Sequence, residues 1–408
     1  MHQCGDSAYR VVTERPGSIT PTPFDVPSIT TPQSGPVREP GTQAGPRRNA
    51  LAACDALREA EAVERSWKDV LAAYLAPADH ARSVDGLQGL DPQAWNTLVP
   101  FVLERAVRLG PALFAQLCTD GLTSVLGSDH RTSLEVARAA AEQGSARWRD
   151  DLAAILDAFR DSAVPVAVLK GPILAAHAYP DPVMRPMSDL DLLVPRDRLA
   201  QAERILLDLG YGPEAPWRQN IAASCIASEE LPAFYKAGAT QIDVHWAIVD
   251  PRSPFSVAAD GLWDRLVPAQ MAGRSALTLA PEDFLLHLCA HAAYAHGFEA
   301  PLRCFCDVAW FIHGRALDWD TVVARALEWR VERLAYAVIA VAHAIFRAEA
   351  SAVLPRLSGR AVDAKVVPII VDHCLRAAVV GSDSWRTTRC VLDAWLRLVV
   401  GSWPRPGW

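Results

Sequence analysis

The segment Met187-Ser188-Asp189-Leu190-Asp191-Leu192-Leu193-Val194 places two carboxylates, one residue apart, at the start of an apolar run that reads as a buried β-strand. Asp is depleted in strands, so two of them there need a reason. Side chains at i and i+2 leave the same face of a strand, with Cα atoms roughly 6.5–7 Å apart at about 3.3 Å per residue. Asp189 and Asp191 can therefore converge on one divalent cation, although such a pair at a strand mouth is more often simply solvated.

The flanking segments supply context. Upstream, Val164-Pro165-Val166-Ala167-Val168-Leu169-Lys170-Gly171 is a β-branched apolar run ending in Lys-Gly. Pro172 follows at a first-turn position, so a strand, a glycine turn and a helix start are expected, with backbone N–H groups able to face an anion. Downstream, Gln241-Ile242-Asp243-Val244-His245-Trp246 alternates as a strand should, with Asp243 and His245 on one face. A third carboxylate is thus available from a second strand.

In order and separation, Leu169-Lys170-Gly171, Arg185-x-x-x-Asp189-x-Asp191 and Asp243-x-His245-Trp246 resemble an uncharacterised bacterial branch of the DNA polymerase β-like nucleotidyltransferase superfamily. The resemblance continues through Leu279 to His291, Leu302-Arg303 and Asp307, and covers about residues 95 to 345. It implies an α+β fold: a small mixed β-sheet core, polymerase β-like, embedded between N- and C-terminal helical regions. It also implies transfer of a nucleoside monophosphate from an NTP to an acceptor with release of pyrophosphate. Asp189, Asp191 and Asp243 would be the catalytic residues and would hold Mg2+ or Mn2+, while Lys170, Gly171, Arg185 and Ser188 would contact the nucleotide. The chain departs from the superfamily in having Lys170-Gly171-Pro172 where Gly-Ser or Gly-Gly is common, so no serine meets the triphosphate there.

Several residues carry two readings. Arg185 either clamps a phosphate or anchors its own loop through a carboxylate, and Lys170 either meets a phosphate or reaches solvent. Ser188 either touches the nucleotide or caps its loop. His245 suits a hydrogen bond to a metal-bound carboxylate or plain packing. Asp283, His287 and His291 form a polar stripe on a predicted helix. For the two histidines a structural role is the commoner reading; the functional one places them behind the metal ligands or on the acceptor side, and a zinc site lacks the Glu of His-Glu-x-x-His.

Composition narrows the class. The net charge of −7 over 408 residues leaves no footprint for wholesale nucleic-acid binding, so nucleic acid enters only as a tRNA-type acceptor. The nine cysteines are scattered, without Cys-x-x-Cys spacing, which fits a reducing cytoplasm. No uncharged apolar stretch reaches about 18 residues, so no membrane partner is expected. The acceptor stays open among a small molecule, a tRNA end and a protein side chain. A non-catalytic nucleotide-binding scaffold is the alternative function, and a metal-dependent hydrolase a third.

Four regions follow from the patterning. Residues 1–48 are rich in Pro, Ser, Thr and Gly and read as a disordered tail. Residues 49–160 recur at helical spacing, and residues 161–250 form the expected core. In the core, a helix over about 195–209 stops at Gly210, and strands are expected near 231–236 and 241–248 with a turn at Gly238. Residues 251–408 read as a helical domain, with the apolar run from Leu334 to Phe346 as its buried centre.

Overall fold

The computed structural model describes residues 69–77, 80–104, 108–213, 229–257, 259–295, 298, 302–358, 360–376 and 392–399. The expected tail over residues 1–48 lies outside them.

Among the described residues seven strands form one mixed sheet: β1 (Ala167–Val168), β2 (Asp189–Leu193), β3 (Gly212–Pro213), β4 (Phe234–Tyr235), β5 (Gln241–His245), β6 (Val267–Met271) and β7 (Arg274–Thr278), in the order β3-β4-β5-β2-β1-β7-β6. The centre is decided by hydrophobic alternation. Leu190, Leu192, Ile242 and Val244 are fully buried on one face of β2 and β5, which run parallel with Leu190 opposite Ile242 and Leu192 opposite Val244. That register sends the polar residues between them to the other face. Gly238, at φ +76°, makes the turn between β4 and β5.

The sheet runs beyond residue 250, where the sequence pattern places only helices. β6 and β7 form a hairpin, and β7 pairs parallel with β1 through Ala167 and Leu277. The edge strand β6 is only five residues long and carries Pro268, so periodicity alone gives little signal.

The principal helices are α1 (Pro92–Leu103), α2 (Gly110–Thr119), α3 (Ser128–Asp161), α4 (Lys170–His177), α5 (Leu199–Asp208), α6 (Pro281–Ala290), α7 (Leu302–His313), α8 (Trp319–Trp329), α9 (Glu332–Phe346) and α10 (Ala361–Arg376). The long α3 packs on α1, α2, α5 and the β6–β7 hairpin, and so ties the N-terminal helices to the sheet. On the C-terminal side α9 contacts α6, α7, α8 and α10. Its apolar residues Leu334, Ala335, Ala337, Val338, Ile339, Val341 and Ala342 are fully buried, as expected for a helix that is apolar nearly all round. Among the described residues no helix is long and apolar enough to cross a membrane.

Candidate active site

β2 and β5 bring Asp191 directly opposite Asp243, so their side chains leave the sheet on one face. Both, with Asp189, line a cavity of about 350 Å³ whose wall also includes Lys170, Gly171, Arg185, Ser188 and His291. Eight of the ten residues singled out from the sequence therefore share one cavity. His245 and His287 are buried beside it, in the wall of a smaller adjoining space.

Asp191 is the electrostatic centre. Lys170 Nζ donates to its Oδ1 at 2.7 Å, and His245 Nε2 meets the same oxygen at 2.9 Å. Burial alone raises a carboxyl pKa, but the Lys170 charge and the His245 contact outweigh it and hold Asp191 well below the usual carboxylate range. Burial likewise opposes the charge on Lys170, and Asp191 more than offsets that, so the ammonium is firmly protonated. Asp243 is different. Burial, followed by the charges of Asp191, Glu230 and Asp189, pushes it up to about 6 against two hydrogen bonds from Gln241. Four carboxylates gathered on one wall repel one another, and oxygen donors with surplus negative charge suit a hard divalent cation. Among the described residues no three His, Cys, Asp or Glu side chains already close into a metal shell.

The turn into α4 departs from the expected glycine turn. Lys170 itself takes the left-handed conformation at φ +44°, an uncommon one for a residue with a Cβ. Gly171 is required for a different reason: a Cβ there would sit 2.5 Å from Arg185 Nη1. Arg185 cannot easily yield. It is buried and bonded through Nη2 and Nε to Asp307 at 3.1 and 3.3 Å, and Tyr179 donates its hydroxyl to the same carboxylate at 2.9 Å. Arg185 thus anchors its loop on α7, while its side chain also reaches the cavity wall.

Ser188 lies near Asp189, with Oγ 3.4 Å from Oδ1. The Asp283, His287, His291 stripe is divided by the packing. Asp283 is 2 % exposed and pairs with Arg265 at 2.8 Å and Arg325 at 3.3 Å. His287 contacts the Ile248 carbonyl through Nδ1 at 3.1 Å, and burial, with the charges of Lys170 and His245, pushes it down to about 3. Only His291, where the helix widens into a π-turn, reaches the main cavity.

Glu230 and Arg303 are among the wall residues that the sequence left without a role. Glu230 bridges antiparallel to His245, with Oε2 3.3 Å from His245 Nε2. Its signal was its place one residue before the expected strand at 231. Arg303 is 7 % exposed; its Nη1 donates to the Pro186 carbonyl at 2.8 Å and its Nε has no partner. Arg108, Lys170, Arg185 and Arg303 put four cationic side chains in the same lining as the carboxylates.

Residues 91–347 match the family described as uncharacterised nucleotidyltransferase, a span that includes every strand of the sheet. No curated protein matches the chain. Similar solved structures include a lincomycin-bound lincosamide antibiotic adenylyltransferase, LnuA, at 18% identity over 34% of this chain and 83% of the other, with a TM-score of 0.24. The antibiotic-resistance factor ANT(2'')-Ia in solution is 16% identical over 40% of this chain and 80% of its own, TM-score 0.29. Its crystal structure with adenylyl-2"-tobramycin covers 47% of this chain and 95% of its own at 16% identity, TM-score 0.31. With the family match extending over more than half of its length and across the whole sheet and its cavity, the chain belongs to the uncharacterised nucleotidyltransferase family.

Proposed function

We propose that this nucleotidyltransferase uses a divalent metal to move a nucleoside monophosphate from an NTP to a hydroxyl-bearing acceptor, releasing pyrophosphate. The observation that supports it most directly is the register of Asp191 against Asp243, with Asp189 on the same cavity wall. Asp189, Asp191 and Asp243 would hold Mg2+ or Mn2+. When bound, such an ion stabilises charge on the transferring phosphoryl group and on the attacking and leaving oxygens.

The chain's own groups divide the remaining work. The acceptor oxygen forms a bond to the α-phosphorus as the bond to the β-phosphate bridging oxygen breaks, and Asp243 takes the acceptor proton. Arg303, with its unpartnered Nε, and Lys170 face the pyrophosphate side as cations. They take the place of the serine contact missing after β1. His245 fixes the orientation of Asp191. We infer a cytoplasmic site of action, where NTPs are abundant. The described cysteines are all free thiols.

The scaffold reading draws on the Lys170 and His245 contacts, which both occupy Asp191 Oδ1. One experiment separates the two. The protein is incubated with each α-labelled NTP and Mg2+ or Mn2+, with and without cell extract. Label transfer with pyrophosphate release is the expected result. Saturable binding without turnover would establish the scaffold, and free monophosphate a hydrolase.

A further inference from the structure

A second cavity of about 340 Å³ lies beside the first and shares Arg108, Arg185 and Ser188 with it. Its walls are mostly apolar: Val102 and Leu103 of α1, Pro111 of α2, Trp148 of α3, and Met187. On α3, Ala140 and Gly144 keep it open, and a Cβ added at Gly144 would meet nothing within 4 Å.

Apart from Arg108, Arg185 and Ser188, which it shares with the first cavity, one polar residue breaks the apolar lining. Ser145 is 3 % exposed, and its Oγ has no hydrogen-bond partner. A buried helical hydroxyl usually bonds the carbonyl one turn back. The exposed Thr119, Thr132 and Ser133 do so here, at 2.9, 3.0 and 2.9 Å. Ser145 makes no such bond, and it is among the residues that line the cavity. A buried unpaired hydroxyl costs free energy unless something meets it, and in ligand sites a few such groups set orientation within an apolar lining.

We propose that this second cavity binds the acceptor: a compact, uncharged molecule with an apolar body and hydroxyl groups, one bonded by Ser145 and another directed past Ser188 toward the carboxylates. This rests on the proposed nucleotidyl transfer. Among the described residues no Asp or Glu lines the cavity, so a polycationic acceptor finds no counter-charge from them. Among the same residues no Asn or Gln lines it either, so they offer no carboxamide to read the edge of a nucleobase. The volume falls within the roughly 300–1,000 Å³ of ordinary small-molecule sites.

The test uses 2-naphthol and naphthalene as probes, followed by fluorescence, and calorimetric titration of ATP, GTP, CTP and UTP with Mg2+. Four proteins are compared: wild type, Gly144→Leu, Ala140→Met and Ser145→Ala. Wild type should bind 2-naphthol about 2–10-fold tighter than naphthalene, the worth of one net hydrogen bond. Ser145→Ala should bind the two equally, and it should be at least as heat-stable as wild type, having lost an unpaired hydroxyl. Gly144→Leu and Ala140→Met should weaken 2-naphthol by tenfold or more while NTP binding stays within twofold. Undiminished 2-naphthol binding in both filled variants, or none in wild type, overturns the proposal. So does a tenfold loss of NTP binding in the filled variants, which would give the cavity to the nucleobase. Binding of 2-naphthol by a wild-type protein that binds no NTP overturns the transferase reading, and the acceptor role with it.

Discussion

Lys170 donates from Nζ to Asp191 Oδ1 at 2.7 Å, and both side chains are buried. The pair joins the first turn of α4 to the middle of β2. It makes the two carboxylates of the Asp-x-Asp motif physically unequal, because Asp189 makes no such pair and lies at the half-buried end of the strand.

Asp191→Asn and Asp189→Asn should therefore differ in stability while both abolish transfer. Removing the Asp191 charge leaves a buried ammonium uncompensated, a change that typically costs about 3–5 kcal/mol. Asp189→Asn should stay within about 0.5 kcal/mol of wild type. Urea unfolding curves check this, and equal midpoints for the two variants would refute the asymmetry.

Gly171→Ala tests the close approach of Arg185. In an ordinary helix position this substitution stabilises by up to about 1 kcal/mol. Here the new Cβ meets a guanidinium fixed by Asp307, and overpacking of this kind destabilises by about 1–3 kcal/mol. The sign of the change in melting temperature decides, and a rise would show that Arg185 moves freely.

His287 supplies a pH dependence. Its pKa near 3 in the folded protein lies below the ordinary 6.5, so the neutral ring is favoured by folding. Its contribution to stability is complete above about pH 6.5 and is lost as the pH falls toward 3. His287→Gln should remove up to one proton from the slope of stability against pH between 6.5 and 5, roughly 1.4 kcal/mol per pH unit. An unchanged slope would mean that another group carries the acid sensitivity.

Far from the cavity, Asp363 accepts from Arg333 Nε at 2.9 Å, Ser358 Oγ at 2.6 Å and Trp395 Nε1 at 2.9 Å. These contacts outweigh burial and hold its carboxyl below the usual range. Asp363→Asn should cost about 3–5 kcal/mol by stranding Arg333. NTP binding measured by calorimetry below the melting temperature should be unchanged, and a tenfold loss would show that the C-terminal helices shape the cavity.

What the sequence by itself determined lies where chemistry and local periodicity coincide. Alternation in β2 and β5 put Asp189 and Asp191, and then Asp243 and His245, on defined faces, and Pro172 and Gly210 marked a helix start and stop. Nothing local could pair the two strands in register. That depends on Leu190 and Leu192 burying in the same core as Ile242 and Val244, so only the packed core sets Asp191 opposite Asp243. The choice between two readings of Arg185 was likewise made by Asp307, which lies 122 positions away and supplies the buried counter-charge. Glu230 and Arg303 joined the site in the same way, one through a bridge to His245 and the other through the carbonyl of Pro186. A side chain's type and the face it occupies are properties of a few neighbouring residues. Its partner is decided by which distant elements the core brings within a few ångströms, and in this protein those partners decide which groups are charged, anchored or left to meet a ligand.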